Sequence, residues 1–289
     1  MVLARAYVAL MKLRVVELLL ISTIPAMILA EEGIPDAWLV FTTLVGGTLA
    51  AGSANAFNMV LESDLDQLMK RTSKRPLVTG ALSKTHAAIF ASTIGLLSLL
   101  IFWLFTTPLA TLFTAIAIGF YVLVYTMALK RHTSQNIVWG GAAGCMPVLI
   151  GWAAVTNSIS WTAVAFFLVI FFWTPPHFWA LAIKYKDDYE AASIPMLPVI
   201  AARDVVVKNM WFYTAAMIAS SVALIYLAEL QLWAMVITVG LGLIFAYQLI
   251  QLKENSDSYN SVAAKIFHWS ITYLTLFSAL LVAAQLLKA

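Results

Sequence analysis

The chain has 289 residues, of which 62% are hydrophobic and only 11% charged, and its formal net charge is +3 at pH 7. A soluble domain carries about 25% charged residues, so the composition excludes one. Apolar stretches of the roughly 20 residues that cross a bilayer recur throughout, without the alternation of a closed β-barrel, so the expected class is an all-α polytopic membrane protein in one domain, residues 1–289.

Residues 1–14 are short and basic, with Arg5, Lys12 and Arg14, and lead straight into an apolar run. The absence of an Arg-rich transit peptide before that run suggests the cytoplasmic (inner) membrane of a bacterium. Nine spans are predicted, at 15–31, 39–61, 87–106, 109–128, 136–156, 161–183, 210–229, 231–251 and 267–287. Four connections are short: 31–38, 106–109, 156–160 and 229–231. The others, 62–86, 129–135, 184–209 and 252–266, are long. Every Lys and Arg except Lys288 lies in the N-terminus or in the long set. The positive-inside rule makes that side, and the N-terminus, cytoplasmic. An N-terminus inside and a C-terminus outside require an odd number of spans, which nine satisfies.

Span two ends in Asn58, Glu62 and Asp66, four residues apart, with Asp64 between them. On a continuous helix this spacing puts the three on one face. Bases follow at Lys70, Arg71, Lys74 and Arg75. Carboxylates that collect hard cations, next to bases that collect phosphate, suit a magnesium-bridged diphosphate. Span six also ends in charge, with Lys184, Lys186, Asp187, Asp188 and Glu190. Four spans separate the two motifs, so both reach the same membrane side, where they could face each other across a central cavity. Isolated carboxylates there would repel, and a metal ion resolves this.

Within span five, Gly140, Gly141, Ala142 and Gly144 form a small-residue surface suited to close helix packing. Within span six, Pro175 and Pro176 are expected to bend or break the helix. His177 follows them and is the one histidine predicted inside a span. A core imidazole bonded to a carbonyl is one reading. The other is an imidazole that faces a cavity and ligates a haem iron or positions a substrate. On a regular helix His177, Lys184 and Asp188 share a face, with His177 roughly 16 Å deeper than Asp188. The basic residues Lys208, Lys253 and Lys265 need no role beyond topology and attraction to anionic lipid. Cys145 has no partner for a disulfide, and no nucleotide loop, nucleophile elbow or zinc spacing is present. Nothing here calls for a nucleic-acid partner. Metal and phosphate ligands beside a greasy cavity suit departure of diphosphate from an allylic lipid.

At these residues the chain resembles the UbiA-type intramembrane prenyltransferases, and within them the branch that modifies haem. The resemblance covers nearly the whole chain. It is carried by 58–80 (N-x3-E-x3-D-x2-M-x-RT-x2-RP-x4-G), YTMALKRHTSQNIVWGG at 125–141, TPPHFWALAI at 174–183 and YKDDYEAASIPMLP at 185–198. It implies nine helices around a membrane-embedded cavity that opens to the cytoplasm. The implied reaction is Mg2+-dependent farnesyl transfer from farnesyl diphosphate to a vinyl group of haem b, with water added, giving haem o. By position, Asn58, Glu62 and Asp66 resemble the first metal–diphosphate motif and Asp187 and Asp188 the second. Asn58, Glu62, Asp66 and Asp188 are the catalytic set so implied. Arg71, Arg75, Lys130, Arg131 and Lys184 resemble diphosphate contacts, and His177 is the candidate haem-binding residue. A haem a synthase or a terminal oxidase is the implied downstream partner, with membrane lipid around the bundle. Two departures stand out. Many members of the family have Asp where this chain has Glu62. Their second motif usually has two Asp four apart, and here Lys184 stands four before Asp188. The open alternatives are a prenyltransferase for an aromatic quinone precursor and a non-catalytic haem carrier. An ion-coupled transporter fits poorly, because its coupling acids belong near the bilayer midplane.

Overall fold

The computed structural model describes residues 2–253 and 255–288, apart from the side chains of residues 2, 14, 15 and 17–20. All regular structure among these residues is helical. The elements are α1 (Val2–Met11), α2 (Leu13–Glu31), α3 (Ala37–Leu61), α4 (Ser63–Leu68), α5 (Lys84–Phe105), α6 (Pro108–Gly119), α7 (Asn136–Thr156), α8 (Trp161–Lys184), α9 (Lys186–Ala191), α10 (Leu197–Ile200), α11 (Arg203–Leu227), α12 (Leu232–Ile250) and α13 (Tyr259–Leu286). A 3-10 turn covers Lys70–Thr72, and α6 continues as a π-helix over Phe120–Leu129. Among the described residues, eight helices are long and apolar enough to cross a membrane, counting Pro108–Leu129 as one. The ninth expected span falls on α2, a 19-residue helix whose apolar described part is Ile21–Glu31.

The short connections are closed by local chemistry. Asp36 caps α3 at Leu39 N–H, and Ser160 caps α8 at Ala163 N–H. Thr107 caps α6, where Pro108 takes the first turn without wasting a donor. Glu32, Asn157 and Glu229 end their helices in left-handed backbone, with φ of 56°, 49° and 52°.

At the other end of the bundle the helices outrun their apolar windows. Helix α11 begins at Arg203 rather than near 210, and α13 at Tyr259 rather than near 267. Hydropathy ends where charge begins, whereas the hydrogen-bond ladder does not. In α11 that extension carries an i,i+4 ion pair, Lys208–Asp204, at 3.5 Å. Helix α1, also outside the predicted spans, packs on α3 and α5.

Helices α7 and α8 form the interior: 61% and 67% of their apolar windows are buried, against 11% for Pro108–Leu129. Lipid is as apolar as leucine, so close contact and hydrogen bonds must hold the helices together. Between α3 and α5, Ser53 Oγ donates to the Ala91 carbonyl and Ser98 Oγ to the Gly46 carbonyl, both at 2.7 Å. The glycines of α7 do what their spacing suggests. A Cβ on Gly140 would run into the Tyr125 ring, and one on Gly141 would lie 2.8 Å from Thr174 Cγ2.

The two prolines do not break α8, which runs without interruption from Trp161 to Lys184 through Pro175 and Pro176. Prolines are tolerated inside membrane helices when packed neighbours and hydroxyl side chains compensate for the missing donors. Here Thr174 Oγ1 donates to the Ile170 carbonyl at 2.8 Å, and all three residues are buried.

Candidate active site

The acidic motif sits at a break. Helix α3 ends at Leu61, Glu62 adopts φ −109° and ψ 14°, and α4 starts at Ser63. The expected single helix is therefore interrupted, yet its four-residue register survives. Glu62 N–H donates to the Asn58 carbonyl at 3.0 Å, and Asp66 N–H to the Glu62 carbonyl at 2.9 Å. Asn58, Glu62 and Asp66 are 2%, 1% and 3% exposed, far from the solvated helix end that charges usually choose.

Burial at this level demands partners, and each comes from a different element. Arg75 Nη1 donates to both carboxylate oxygens of Asp66 at 2.6 Å. Lys130 Nζ donates to Glu62 Oε2 at 2.5 Å. Lys12 Nζ donates to Asn58 Oδ1 at 3.0 Å, and Asn58 Nδ2 donates to Thr126 Oγ1 at 3.3 Å. Asp64, on the outer side, receives Arg131 at 3.0 and 3.1 Å, and Arg131 also holds the Leu61 carbonyl. That hydrogen bond keeps the Asp64 carboxyl below its usual range. One oxygen, Glu62 Oε1, is buried without any partner.

Two backbone irregularities aim the bases. Lys12 lies between α1 and α2 in left-handed backbone, φ 51° and ψ 52°, which turns it out of the helix path. The π-helix ends with the Lys130 N–H bonded to the Tyr125 carbonyl, five residues back, and Thr126 Oγ1 donates to the Tyr121 carbonyl. This wider turn brings Thr126 to Asn58 and Lys130 to Glu62. Sequence reasoning missed Lys12 as a site residue and used it only for topology. Its available signal was its setting, a lone lysine between Met11 and Leu13 at the mouth of the first span. Burial pushes its ammonium well below the ordinary value, reinforced by Arg75 and Lys130 and opposed by Glu62 and Asp66.

The second acidic motif adjoins the segment that follows the first. Helix α8 stops at Lys184, where Tyr185 (φ −108°, ψ 29°) turns the chain into α9, and the i,i+4 bonds continue across the break from Tyr185 N–H to the Leu181 carbonyl and from Tyr189 N–H to the Tyr185 carbonyl. Asp188 Oδ2 accepts the Arg71 backbone N–H at 3.0 Å, tying α9 to the 3-10 turn. Asp187 is exposed. Among the described residues no three His, Cys, Asp or Glu side chains gather around one metal position. The hard oxygen donors and the orphaned Glu62 Oε1 nonetheless suit Mg2+, which takes few protein ligands.

Arg71 and Arg75, both expected as diphosphate contacts, have different partners. Arg71 lies over the rings of Tyr185 and Tyr189, 5.4 and 5.5 Å from their centroids, and its Nη2 donates to Tyr189 Oη at 3.4 Å. Burial raises the Tyr189 phenol above its ordinary range, so it stays neutral at pH 7. Lys184 is exposed, with its Nζ 5.4 Å from the Tyr185 ring centroid.

His177 is a buried imidazole with one defined hydrogen bond, to Ser270 Oγ at 2.6 Å rather than to a carbonyl. Ser270 Oγ also donates to the Phe267 carbonyl at 2.6 Å. With the single hydroxyl proton given to the Phe267 carbonyl, the tautomer that fits has the hydrogen on Nδ1 and the lone pair on Nε2. Trp173 and Phe267 stack against the ring at 4.3 and 4.7 Å.

Helical membrane architecture and a buried acid–base site define a class, and sequence comparison agrees. The chain belongs to the UbiA prenyltransferase family, whose model matches residues 19–271. It is 50% identical over 285 residues, 98% of this chain and 91% of the relative, to the protoheme IX farnesyltransferase of Parafrankia sp. (strain EAN1pec). Its fold matches a solved structure of digeranylgeranylglyceryl phosphate synthase with a TM-score of 0.81 at 15% identity, covering 99% of both chains. A UbiA homolog from Archaeoglobus fulgidus, bound to GPP and Mg2+, matches with a TM-score of 0.65 at 16% identity, covering 96% of this chain and 99% of that one. The chain is a multi-pass membrane enzyme of the prenyltransferase class.

Proposed function

We propose that the protein transfers farnesyl from farnesyl diphosphate to a vinyl group of haem b, with addition of water, giving haem o and diphosphate. The observation that carries the leaving-group half is the buried Asn58–Glu62–Asp66 run ringed by Lys12, Arg75 and Lys130. The acceptor is taken from the 50% identical relative, whose name specifies protohaem and farnesyl. We place the chain in a bacterial inner membrane with nine spans, its N-terminus and site mouth cytoplasmic, and haem o passing to a haem a synthase or a terminal oxidase.

The mechanism follows from charge. As the allylic C–O bond breaks, the electron pair leaves with the diphosphate, and negative charge grows on its oxygens. Arg75 and Lys130 are held within reach of that charge by the acids they pair with, and Lys12 by Asn58. Preorganised cations in a dry site cost little reorganisation when the bond breaks. Asn58, Glu62 and Asp66 would hold Mg2+, with Asp187 and Asp188 the further candidates; a UbiA homolog of the same fold from A. fulgidus is bound to GPP and Mg2+. Bound Mg2+ would offset diphosphate charge and favour its departure. The terminal vinyl carbon then bonds to farnesyl C1. The cation left beside the porphyrin takes water, which loses a proton. Arg131 braces the hinge through Asp64 and Leu61. His177, with Nε2 unprotonated, would orient the haem.

Glu62→Gln tests the acid's part. The amide can still accept from Lys130, so the protein should fold, while diphosphate release falls at least about 100-fold, the scale of losing one strong electrostatic contribution, and responds less to added Mg2+. Full activity in this variant would remove Glu62 from the site.

A further inference from the structure

We propose that a pocket between α8 and α13 holds the carboxylates of the acceptor, the two propionates of haem, through Lys184, with Arg71 and His268 at its rim. This rests on the haem reading above.

The basic side chains near the site divide into two sets. Lys12, Arg75, Lys130 and Arg131 are bonded to Asn58, Asp66, Glu62 and Asp64. Among the described residues, no salt bridge engages Lys184 or the Arg71 guanidinium, although the Arg71 backbone meets Asp188. Both line one pocket of about 240 Å³, together with Tyr185, Ala264, Phe267 and His268. No carboxylate lines it. A magnesium diphosphate needs acids beside its bases, and this pocket offers bases alone. It suits a ligand that brings its own carboxylates and no metal.

The rest of the lining describes that ligand. Ala180, Leu181, Ala264, Phe267 and Tyr185 give apolar and aromatic walls beside the basic side chains. A porphyrin has the matching form: a flat apolar ring with two carboxylates side by side on one edge. The pocket is too small for the whole macrocycle, so it receives that edge. Phe267 links it to the interior, because the ring that lines the pocket also stacks on His177 at 4.7 Å. Phe267 thus joins the basic pocket to the imidazole proposed to orient the haem.

The test compares haem b with its dimethyl ester, in which both carboxylates are masked, on the wild type, Lys184→Gln and His268→Gln. Farnesyl diphosphate is varied separately. The wild type should show a KM about tenfold lower for the diacid than for the ester, the size of a lost charge-assisted contact at a partly exposed site. Lys184→Gln should raise the diacid KM to that of the ester and leave the farnesyl diphosphate KM unchanged. His268→Gln should narrow the same gap, which keeps the test available if the lysine variant fails to insert. A rise in the farnesyl diphosphate KM in Lys184→Gln would assign this lysine to diphosphate instead. A wild type indifferent to esterification, or a Lys184→Gln enzyme that keeps the full preference, would overturn the proposal. So would a change confined to the response to anionic lipid, which is headgroup binding. If the wild type farnesylates neither haem nor its ester, the haem reading itself fails, and the pocket assignment falls with it.

Discussion

Lys12 is partly buried, and its ammonium donates to a neutral partner, the Asn58 amide oxygen, at 3.0 Å. An ammonium drawn partly out of water without a carboxylate bonded to it is costly, and desolvation accordingly pulls its pKa down. Such a residue is better explained by what arrives than by what is present. Lys12→Met should leave the fold at least as stable as the wild type, because a poorly compensated charge is removed. It should raise the KM for farnesyl diphosphate by about tenfold, the loss of one charge-assisted contact. Thermal unfolding in detergent and steady-state kinetics read the two halves separately. A destabilised variant with an unchanged KM would make Lys12 a structural residue. The acids were legible in the sequence because their spacing and neighbours form a local pattern. Lys12 was not, since its partner is 46 residues away and only the α1–α2 break joins them. Ser270, 93 residues from His177, was hidden for the same reason.

At the scale of elements, the π-helix Phe120–Leu129 connects packing to the site. Its Tyr125 ring fills the space that a Cβ on Gly140 would need, and its last residues present Thr126 and Lys130. Gly140→Ala should therefore destabilise the protein by about 1–3 kcal/mol through overpacking, and lower turnover by shifting Lys130. Gly240→Ala is the control, since nothing lies within 4 Å of a Cβ there. It should be neutral or stabilise by about 0.5–1 kcal/mol, because alanine favours helix over glycine. Unfolding midpoints of the two variants give the comparison, and equal midpoints would contradict the packing argument. Hydropathy cannot reveal a π-helix, because its residues are as apolar as any α-helical span. The same blindness explains the prolines of α8. Composition shows two missing donors, whereas the helix survives on neighbours that only the tertiary structure supplies.

Over the whole molecule, the all-helical membrane class and the positions of the short connections could be read directly from the sequence. Apolar length and charge asymmetry are properties of contiguous sequence, and the bilayer leaves few alternatives. Helix ends on the basic side were less legible, because α11 and α13 continue past their apolar windows into amphipathic turns. The partners that each acidic motif finds were the least legible part. Four intervening spans put both motifs on one membrane side, which suggested that they could face each other across a cavity. In the fold, α3–α4 meets bases from three other segments, while Asp188 is bound to the backbone of Arg71. The fold thus has a buried acid–base cluster on α3–α4 and a basic pocket between α8 and α13.

The central claim is the pairing of a farnesyl donor with a haem acceptor. Mass spectrometry of the haem extracted after purified protein is incubated with haem b, farnesyl diphosphate and Mg2+ tests it most directly. A product heavier than haem b by one farnesyl group plus the elements of water, formed by the wild type and not by Glu62→Gln, is the expected result. Unchanged haem, with diphosphate released only when an aromatic quinone precursor is supplied, would contradict it.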